Sequence, residues 1–365
     1  MEADALRVAH VHRMRGIGGS ERHLLTLLPA LAERGVEPVF VGLDDPDWNP
    51  SDFYAALTVP AVRIPAPRDV DPLLLVRLLG GLRADVVHTH LVHADLYGGI
   101  AAKLRGTSLV STKHNDDPFR AGPFRFVERR LGRLADRVIT ITDSLRRFTI
   151  ERVGIPAGKV ETIHYGLDRL PEAWGENPAD AVPAGARVLL AVSRLTKQKG
   201  IDVAIAALRE LPEDTVLVVL GEGPERPALE RLAAELDVAQ RVFLLGRVPD
   251  VAAWLGRAGV FVHPARWEGF GLAVLEAMLA GLPVVATDVS ALPELVGAGG
   301  LLVPPADPRA LALATASALE QPELGEALRR RAQAEFSVAR MAERTVAVYD
   351  TLGVSTATPP TSSTS

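Results

Sequence analysis

Short apolar runs alternate with helical patterns along nearly the whole chain, and no other feature narrows its fold as much. A strand followed by a helix, repeated many times, makes a sheet of parallel strands whose faces are covered by the helices. At 365 residues the chain is long for one such unit and suited to two. Hydrophobic residues make up 48% of the chain and aromatics only 5%, so both cores must be filled mainly by Leu, Val and Ala, which suit packed helices and doubly covered strands.

The first series opens with RVAHV, followed by the glycine turn Gly16-Ile17-Gly18-Gly19. A helix is expected next, with Ser20 as N-cap and Leu24, Leu25, Leu27, Leu28 and Leu31 as its apolar stripe. VEPVFVGL, DVVHTH, TSLVST and RVITI predict further strands. The rhythm stops between Tyr165 and Ala186, where Pro, Gly and acidic residues accumulate as in a linker. A second series then supplies the strands RVLLAVSRL, TVLVVLGEG, RVFLLGRV, GVFVHP, PVVATD and GLLVP, with helical patterns between them. The predicted organisation is a first α/β domain over 1–168, a linker over 169–186 and a second α/β domain over 187–335. A helix over 336–352 follows a break near Phe336-Ser337, and the polar segment 353–365 is expected to be disordered.

Ligands of open α/β sheets sit beyond the C-terminal ends of the strands, so the residues just after each run carry the candidate chemistry. Arg194 follows a strong strand, and Lys199-Gly200 open the next helix. Two cations so placed can converge on one polyanion beside a helix N-terminus; taken alone, they can equally be surface cations. The segment HPARWEGFGLAVLEAMLAG is more specific. Glu268 falls in its loop and Glu276 one turn into its helix, while the backbone N–H groups of Phe270, Gly271 and Leu272 would face a pyrophosphate. Carboxylates bind vicinal hydroxyls well, which suits Glu276 to a ribose and Glu268 to a second sugar. Glu276 interrupts the apolar series Val274, Leu275 and Met278, which argues against a mere surface residue.

The N-terminal half carries weaker signals. The turn at Gly18 and Gly19 permits close backbone approach to a ligand, or is an ordinary βα turn. His88, His90 and His93 with Asp95 are zinc-ligand types, but they span a strand end and a helix entrance, and no metal is expected. His90 or His93 can instead line an acceptor site. His114 follows TSLVST, and Asp116 and Asp117 read as helix caps or solvent-facing acids. No D-x-D metal motif stands out; Asp44-Asp45-Pro46-Asp47 is a charged loop. Residues 119–137 hold six arginines against Glu128 and Asp136, a local charge of +4. Phe124, Val127, Leu131 and Leu134 form a stripe that can lie on anionic lipid or pack on its own domain.

These motifs, in this order, resemble the retaining glycosyltransferases of family 4. The resemblance rests on Ser193-Arg194-Leu195 with Lys199-Gly200, Gly221-Glu222-Gly223-Pro224, the E-x7-E segment from Glu268 to Glu276, and Ala280-Gly281-Leu282-Pro283-Val284. It covers nearly the whole chain and implies the GT-B fold, two Rossmann-like doubly wound domains facing across a cleft. By the same resemblance Arg194 and Lys199 bind the donor diphosphate, Glu276 the ribose and Glu268 the transferred hexose. Phe270, Gly271 and Leu272 hold phosphate and sugar, Gly221 lies near base and ribose, and Arg247 and Val248 lie where backbone reads the base. Gly18 and Gly19 touch the diphosphate, His114 approaches the hexose, and the last helix crosses back to the first domain. Implied too are front-face attack without a metal and no tightly bound cofactor, the donor being a UDP- or GDP-sugar and the acceptor a hydroxyl compound.

Composition limits the alternatives. The net charge of -5 argues against a dedicated nucleic-acid binder, and the absence of cysteine excludes disulfides and thiolate chemistry. The start MEADALRVAHVHRM is too polar for a signal peptide, and no run reaches the length of a membrane span, so a cytoplasmic location is expected. A non-hydrolysing nucleotide-sugar epimerase, a sugar phosphorylase and a non-catalytic nucleotide-sugar binder are the competing readings. The phosphorylase would need a pyridoxal phosphate site, which the sequence does not suggest.

Overall fold

A computed structural model describes residues 5–15, 17–66, 72–115, 122, 124–170 and 181–354. Gly16, Asp116, Asp117, much of the expected linker and the expected tail lie outside the described residues. The chain divides into two compact units, Met1–Gly166 with Ser337–Ser365, and Leu167–Phe336.

Unit 1 runs β1 (Leu6–Met14), α1 (Gly19–Ala32), β2 (Val36–Asp44), α2 (Ser51–Ala56), β3 (Ala61–Pro65), α3 (Pro72–Gly81) and β4 (Val86–His90). It continues with α4 (Leu91–Leu104), β5 (Ser108–Lys113), α5 (Arg125–Leu134), β6 (Arg137–Thr140), α6 (Asp143–Phe148) and β7 (Val160–Thr162). Unit 2 runs β8 (Arg187–Val192), α7 (Ile201–Ala207), β9 (Thr215–Leu220), α8 (Arg226–Glu235), β10 (Val242–Gly246), α9 (Val251–Arg257) and β11 (Val260–His263). It closes with α10 (Leu272–Leu279), β12 (Val284–Thr287), α11 (Leu292–Val296), β13 (Leu301–Val303), α12 (Pro308–Leu319) and α13 (Glu323–Glu335). The last helix, α14 (Val338–Asp350), belongs to unit 1.

The first sheet has the order β3-β2-β1-β4-β5-β6-β7 and the second β10-β9-β8-β11-β12-β13. Each named pairing is parallel. Strand order reverses between β1 and β4 in one unit and between β8 and β11 in the other. Those reversals open crevices at the carboxyl ends of the strands.

Helix α1 starts two residues earlier than the Ser20 cap predicted. Gly18 is its N-cap, and Glu21 reaches back to accept from the Gly18 N–H at 2.9 Å. That carboxylate does the capping that was assigned to a serine. Leu24, Leu27, Leu28 and Leu31 are buried as the stripe required. Ser337 caps α14, its hydroxyl accepting from the Arg340 N–H.

Helices α1 and α14 cover one face of the first sheet, where Leu27, Leu31, Met341, Ala342 and Tyr349 meet Val8, Val86 and Val110. Fully burying side chains as large as Met341 and Tyr349 contributes roughly 1.5–3 kcal/mol each. Helices α3 and α4 cover the other face. Along β1, β4 and β5 both faces change from apolar to polar toward the carboxyl end. On the α1/α14 face, Leu6 and Val8 give way to His10 and His12, Val86 to His88 and His90, and Val110 to Thr112, all buried. On the opposite face Asp95 of α4 accepts from Thr89, Ser111 and Lys113, each at 2.6 Å. Glu128 of α5 lies 3.7 Å from the same Lys113 ammonium.

The predicted stripe of α5 is corrected accordingly. Leu131 is buried, but Val127 and Leu134 are exposed, and Glu128 takes the inward position beside Lys113. The His88, His90, His93 and Asp95 set, from which no metal site is expected, also separates. His88 and His90 face α14, while Asp95 serves Lys113 on the other side of the sheet.

Burial holds His10 at about 3, with the neighbouring His23 adding to the shift, and burial with His12 holds His23 at about 3. His88 and His90 are also lowered, first by burial and then by surrounding imidazoles. These folded-state values lie below the ordinary 6.5, so the unfolded chain binds more protons in between, and stability falls as pH drops from 6.5 toward 3. At pH 5.5 His10 and His23 should each remove on the order of 1 kcal/mol. Urea midpoints for β1 and β4, followed by hydrogen-exchange mass spectrometry, should therefore fall between pH 7.5 and 5.5. A constant midpoint would refute the burial of neutral imidazoles.

Candidate functional site

The switch point of unit 2 assembles from two loops, one after β8 and one after β11. Arg194 leaves β8 exposed, and its side chain has no hydrogen-bond or ion-pair partner among the described residues. The chain then makes a short turn at Lys197–Lys199 and enters α7 through Gly200, in the left-handed region at φ 65°. A side chain at Gly200 would run into the Pro264 carbonyl, so this glycine permits the two loops to touch. Their contact is reinforced elsewhere. The Arg266 N–H donates to the Gln198 carbonyl at 2.7 Å, and the Arg266 guanidinium grips Asp202 at 2.9 and 2.7 Å.

This clamp brings Lys199 to Glu268. The ammonium lies 2.5 Å from Glu268 Oε2, and His263 Nε2 lies 2.7 Å from the same oxygen. The Gly269 N–H donates to the other oxygen at 3.1 Å. Burial alone would raise the Glu268 pKa, but the Lys199 charge and the His263 hydrogen bond outweigh it and hold the carboxyl well below its usual range. Glu268 is therefore a fixed carboxylate with one neighbour of each kind, cation, imidazole and backbone amide. His263 was read only as a strand terminus. Its position five residues before Glu268, at the end of β11, was the available clue.

Phe270 is buried with its ring edge-on to Phe336 at 6.0 Å. Gly271 takes the left-handed conformation, φ 98°, and turns the chain into α10. Leu272 begins that helix and Glu276 is half-buried within it. Gly271 caps α10 without a side chain, and its first turn holds no acid, an arrangement that suits its amides to an anion. Gly221 ends β9, its N–H donating to the Gly246 carbonyl at 2.7 Å. Arg247, exposed, and Val248, half-buried, follow directly.

Gly18, Gly19 and His114 belong to unit 1. Gly18 and Gly19 are exposed at the start of α1, but the Gly18 N–H is already engaged by Glu21. His114 is buried, with Nε2 3.1 Å from His90 and Nδ1 2.5 Å from the Tyr165 hydroxyl. His90 is fully enclosed, not the lining residue it could have been. Nitrogen atoms of His10, His88 and His90 come within 4.8 Å of one another. Each of the three already has both nitrogens in hydrogen bonds, and their rings lie at mutual angles of 17° to 38°.

A doubly wound pair of units with an anion-receptive helix end and polar strand ends is the class of architecture that binds phosphorylated nucleotides. Residues 176–335 match the family "Glycosyl transferases group 1", and residues 17–169 match "Glycosyltransferase Family 4". The alpha-maltose-1-phosphate synthase of Mycolicibacterium smegmatis is 30% identical over 309 residues, 73% of this chain and 79% of that protein. The D-inositol 3-phosphate glycosyltransferase 1 of Catenulispora acidiphila is 29% identical over 377 residues, 91% of this chain and 90% of that protein. The structure of Anabaena Alr3699/HepE in complex with UDP and glucose superposes with a TM-score of 0.84 at 21% identity, covering 95% of this chain and all of that one. The chain belongs to the glycosyltransferases of the GT-B fold.

The clamp has a measurable consequence. Removing Lys199 leaves Glu268 as a nearly enclosed charge with one cationic neighbour fewer. Lys199→Met should destabilise unit 2 by about 2 kcal/mol, the scale of a charged hydrogen bond. The double variant with Glu268→Gln should recover part of that loss in urea titrations. Strict additivity of the two substitutions would show that the pair is not coupled.

Proposed function

We propose that the protein is a retaining, metal-independent glycosyltransferase of family 4 that moves a hexose-type sugar from a nucleoside diphosphate to a hydroxyl of its acceptor. The observation that carries this reading is the coincidence, at one switch point, of Arg194 without a side-chain partner among the described residues, the Lys199–Glu268–His263 cluster and the glycine-capped entrance to α10. Arg194, Lys199 and the α10 amides take the diphosphate. Glu276 takes the ribose hydroxyls, and Glu268 accepts from hydroxyls of the sugar. Gly221, Arg247 and Val248 line the base and ribose end. Phe270, Gly271 and Leu272 hold the phosphate and sugar through their backbone.

In the reaction the bond from C1 to the diphosphate oxygen breaks and its electron pair stays with the diphosphate. The cations and the helix end offset that charge. The acceptor oxygen bonds to C1 on the face being vacated, and its proton passes to the departing phosphate. A double displacement would need an available nucleophile beneath C1. Glu268 suits that role poorly, because three donors already share its charge. The donor is a UDP- or GDP-sugar; the Anabaena structure of the same fold holds UDP and glucose. Gly18, Gly19 and His114 are assigned to the diphosphate and sugar from unit 1, with no ring nitrogen of His114 acting as a base.

Glu276→Ala should weaken donor binding by tenfold or more, the loss of about 1.5–3 kcal/mol expected for hydrogen bonds to a charged group. Calorimetry with UDP-sugars, and mass spectrometry of products formed with and without cell-extract acceptor, measure this directly. Unchanged donor use by the variant would remove the ribose assignment. A changed donor sugar made without any acceptor would point to epimerisation.

The exposed face of α5 supports a peripheral membrane role. Arg125, Arg129, Arg130 and Arg133 are exposed together with Phe126, Val127 and Leu134, which suits an anionic lipid surface. No helix among the described residues is long and apolar enough to cross a membrane. A cytoplasmic protein that touches the inner membrane face fits both features. Replacing Arg130 and Arg133 with Glu should reduce cosedimentation with anionic vesicles roughly tenfold or more and leave neutral vesicles unaffected. Equal binding of both proteins would exclude this face.

A further inference from the structure

The buried polar groups on the α1/α14 face of unit 1 form a continuous series. It runs from Thr112 Oγ1 to His88 Nε2 at 2.7 Å, and from His88 Nδ1 to the Tyr349 hydroxyl at 2.7 Å. The Tyr349 hydroxyl lies 3.4 Å from His10 Nε2, the longest link. His10 Nδ1 meets His90 Nε2 at 3.1 Å, His90 Nδ1 meets His114 Nε2 at 3.1 Å, and His114 Nδ1 meets the Tyr165 hydroxyl at 2.5 Å. Seven residues from four strands or their ends and from α14 are thereby joined.

A neutral imidazole has one N–H and one lone pair, and the bond made by one nitrogen decides which of them bears the proton. Each of the four imidazoles is held at both nitrogens. Between neighbouring imidazoles, two donors or two lone pairs would meet face to face unless the links point the same way, whereas a hydroxyl oxygen can accept from both sides. An arrangement in which the Tyr349 hydroxyl accepts from both His88 and His10 leaves the buried Tyr349 proton with neither of these acceptors, so two continuous arrangements remain, and Thr112 chooses between them. If Thr112 donates to His88, each imidazole carries its proton on Nδ1 and the series ends with His114 donating to Tyr165. If the direction reverses, His88 donates to Thr112, and the Thr112 hydroxyl hydrogen, in a residue only 2% exposed, has no acceptor among the described residues. A buried donor without a partner is the costlier state.

We propose that Tyr349 is a positioning residue for His114. Through His10 and His90 it holds His114 in the Nδ1–H form, with both ring nitrogens engaged, so that the ring acts as a fixed neutral support rather than as a proton donor or acceptor in the reaction. The kinetic part of this inference rests on the transferase reading and on the assignment of His114 to the donor sugar. The tautomeric part rests on unit 1 alone. Tyr349 comes from the helix that closes unit 1, so the docking of α14 and the state of the His114 ring are one equilibrium.

The test uses the full chain labelled with 15N-histidine, its signals assigned by single His→Asn variants. Long-range nitrogen–proton correlations should show His10, His88, His90 and His114 as neutral Nδ1–H forms at pH 7.5. Tyr349→Phe keeps the ring and breaks the series in the middle. Thr112→Val removes the group that sets its direction. Either variant should give mixed tautomers at His114. Each should lower kcat about tenfold with the Kd for UDP, measured by calorimetry, unchanged. Wild-type tautomers in both variants overturn the proposal, as does a changed tautomer with unaltered kcat. A variant that loses UDP binding together with its circular dichroism has unfolded, and the other variant then decides. If the unaltered protein transfers no sugar to any acceptor, the transferase reading fails, and the nitrogen spectra still decide whether Tyr349 sets the His114 tautomer.

Discussion

A parallel sheet grows only through crossovers, and the side on which each new strand is laid decides where the sheet stays open. In both units the chain first builds outward from its founding strand and then returns to the other side of it. Helices on the two sides of that point lie on opposite faces, so the loops that feed them diverge. In unit 2 the loop that carries Arg194 and the loop that enters α10 follow the two strands, β8 and β11, on either side of that point. The contact between Lys199 and Glu268, made across neighbouring β8 and β11, exists because of the same reversal.

The two units handle buried polarity differently. Unit 2 concentrates it in a single ionic cluster at the strand ends, above a core of aliphatic residues. Unit 1 spreads it over both faces of its central strands. One face relies on ion pairing, with Asp95 and Glu128 about Lys113. The other relies on imidazoles kept uncharged by burial. An uncharged network escapes the desolvation penalty of ions but tolerates no unpaired member.

The ends of strands were legible in the sequence because apolar runs stop abruptly at charged residues and glycines. That is how Arg194, Lys199, Glu268 and Glu276 could be singled out. His263 could not, because its bond to Glu268 depends on the chain turning back within a few residues, which no periodicity records. The partnership of Tyr349 with His88 spans 261 positions, and nothing local to either residue reports it. The edge strands β3 and β7 were also missed. Only Ile64 is buried in β3, and β7 has three residues, too few for an alternating pattern to stand out. The break at Phe336-Ser337 was visible because Ser337 caps α14.

That break has a consequence for the order in which the protein is completed. Unit 2 is one uninterrupted stretch of chain, whereas unit 1 is assembled from two pieces on either side of it. Until α14 has been synthesised, the face of the first sheet that holds Val8, Val86 and Val110 lacks part of its cover. Domains emerging from the ribosome usually mature in the order they are made. Here the unit that is begun first is finished last, and its histidine-bearing interior is closed by residues that the ribosome releases only after the whole of unit 2 has emerged.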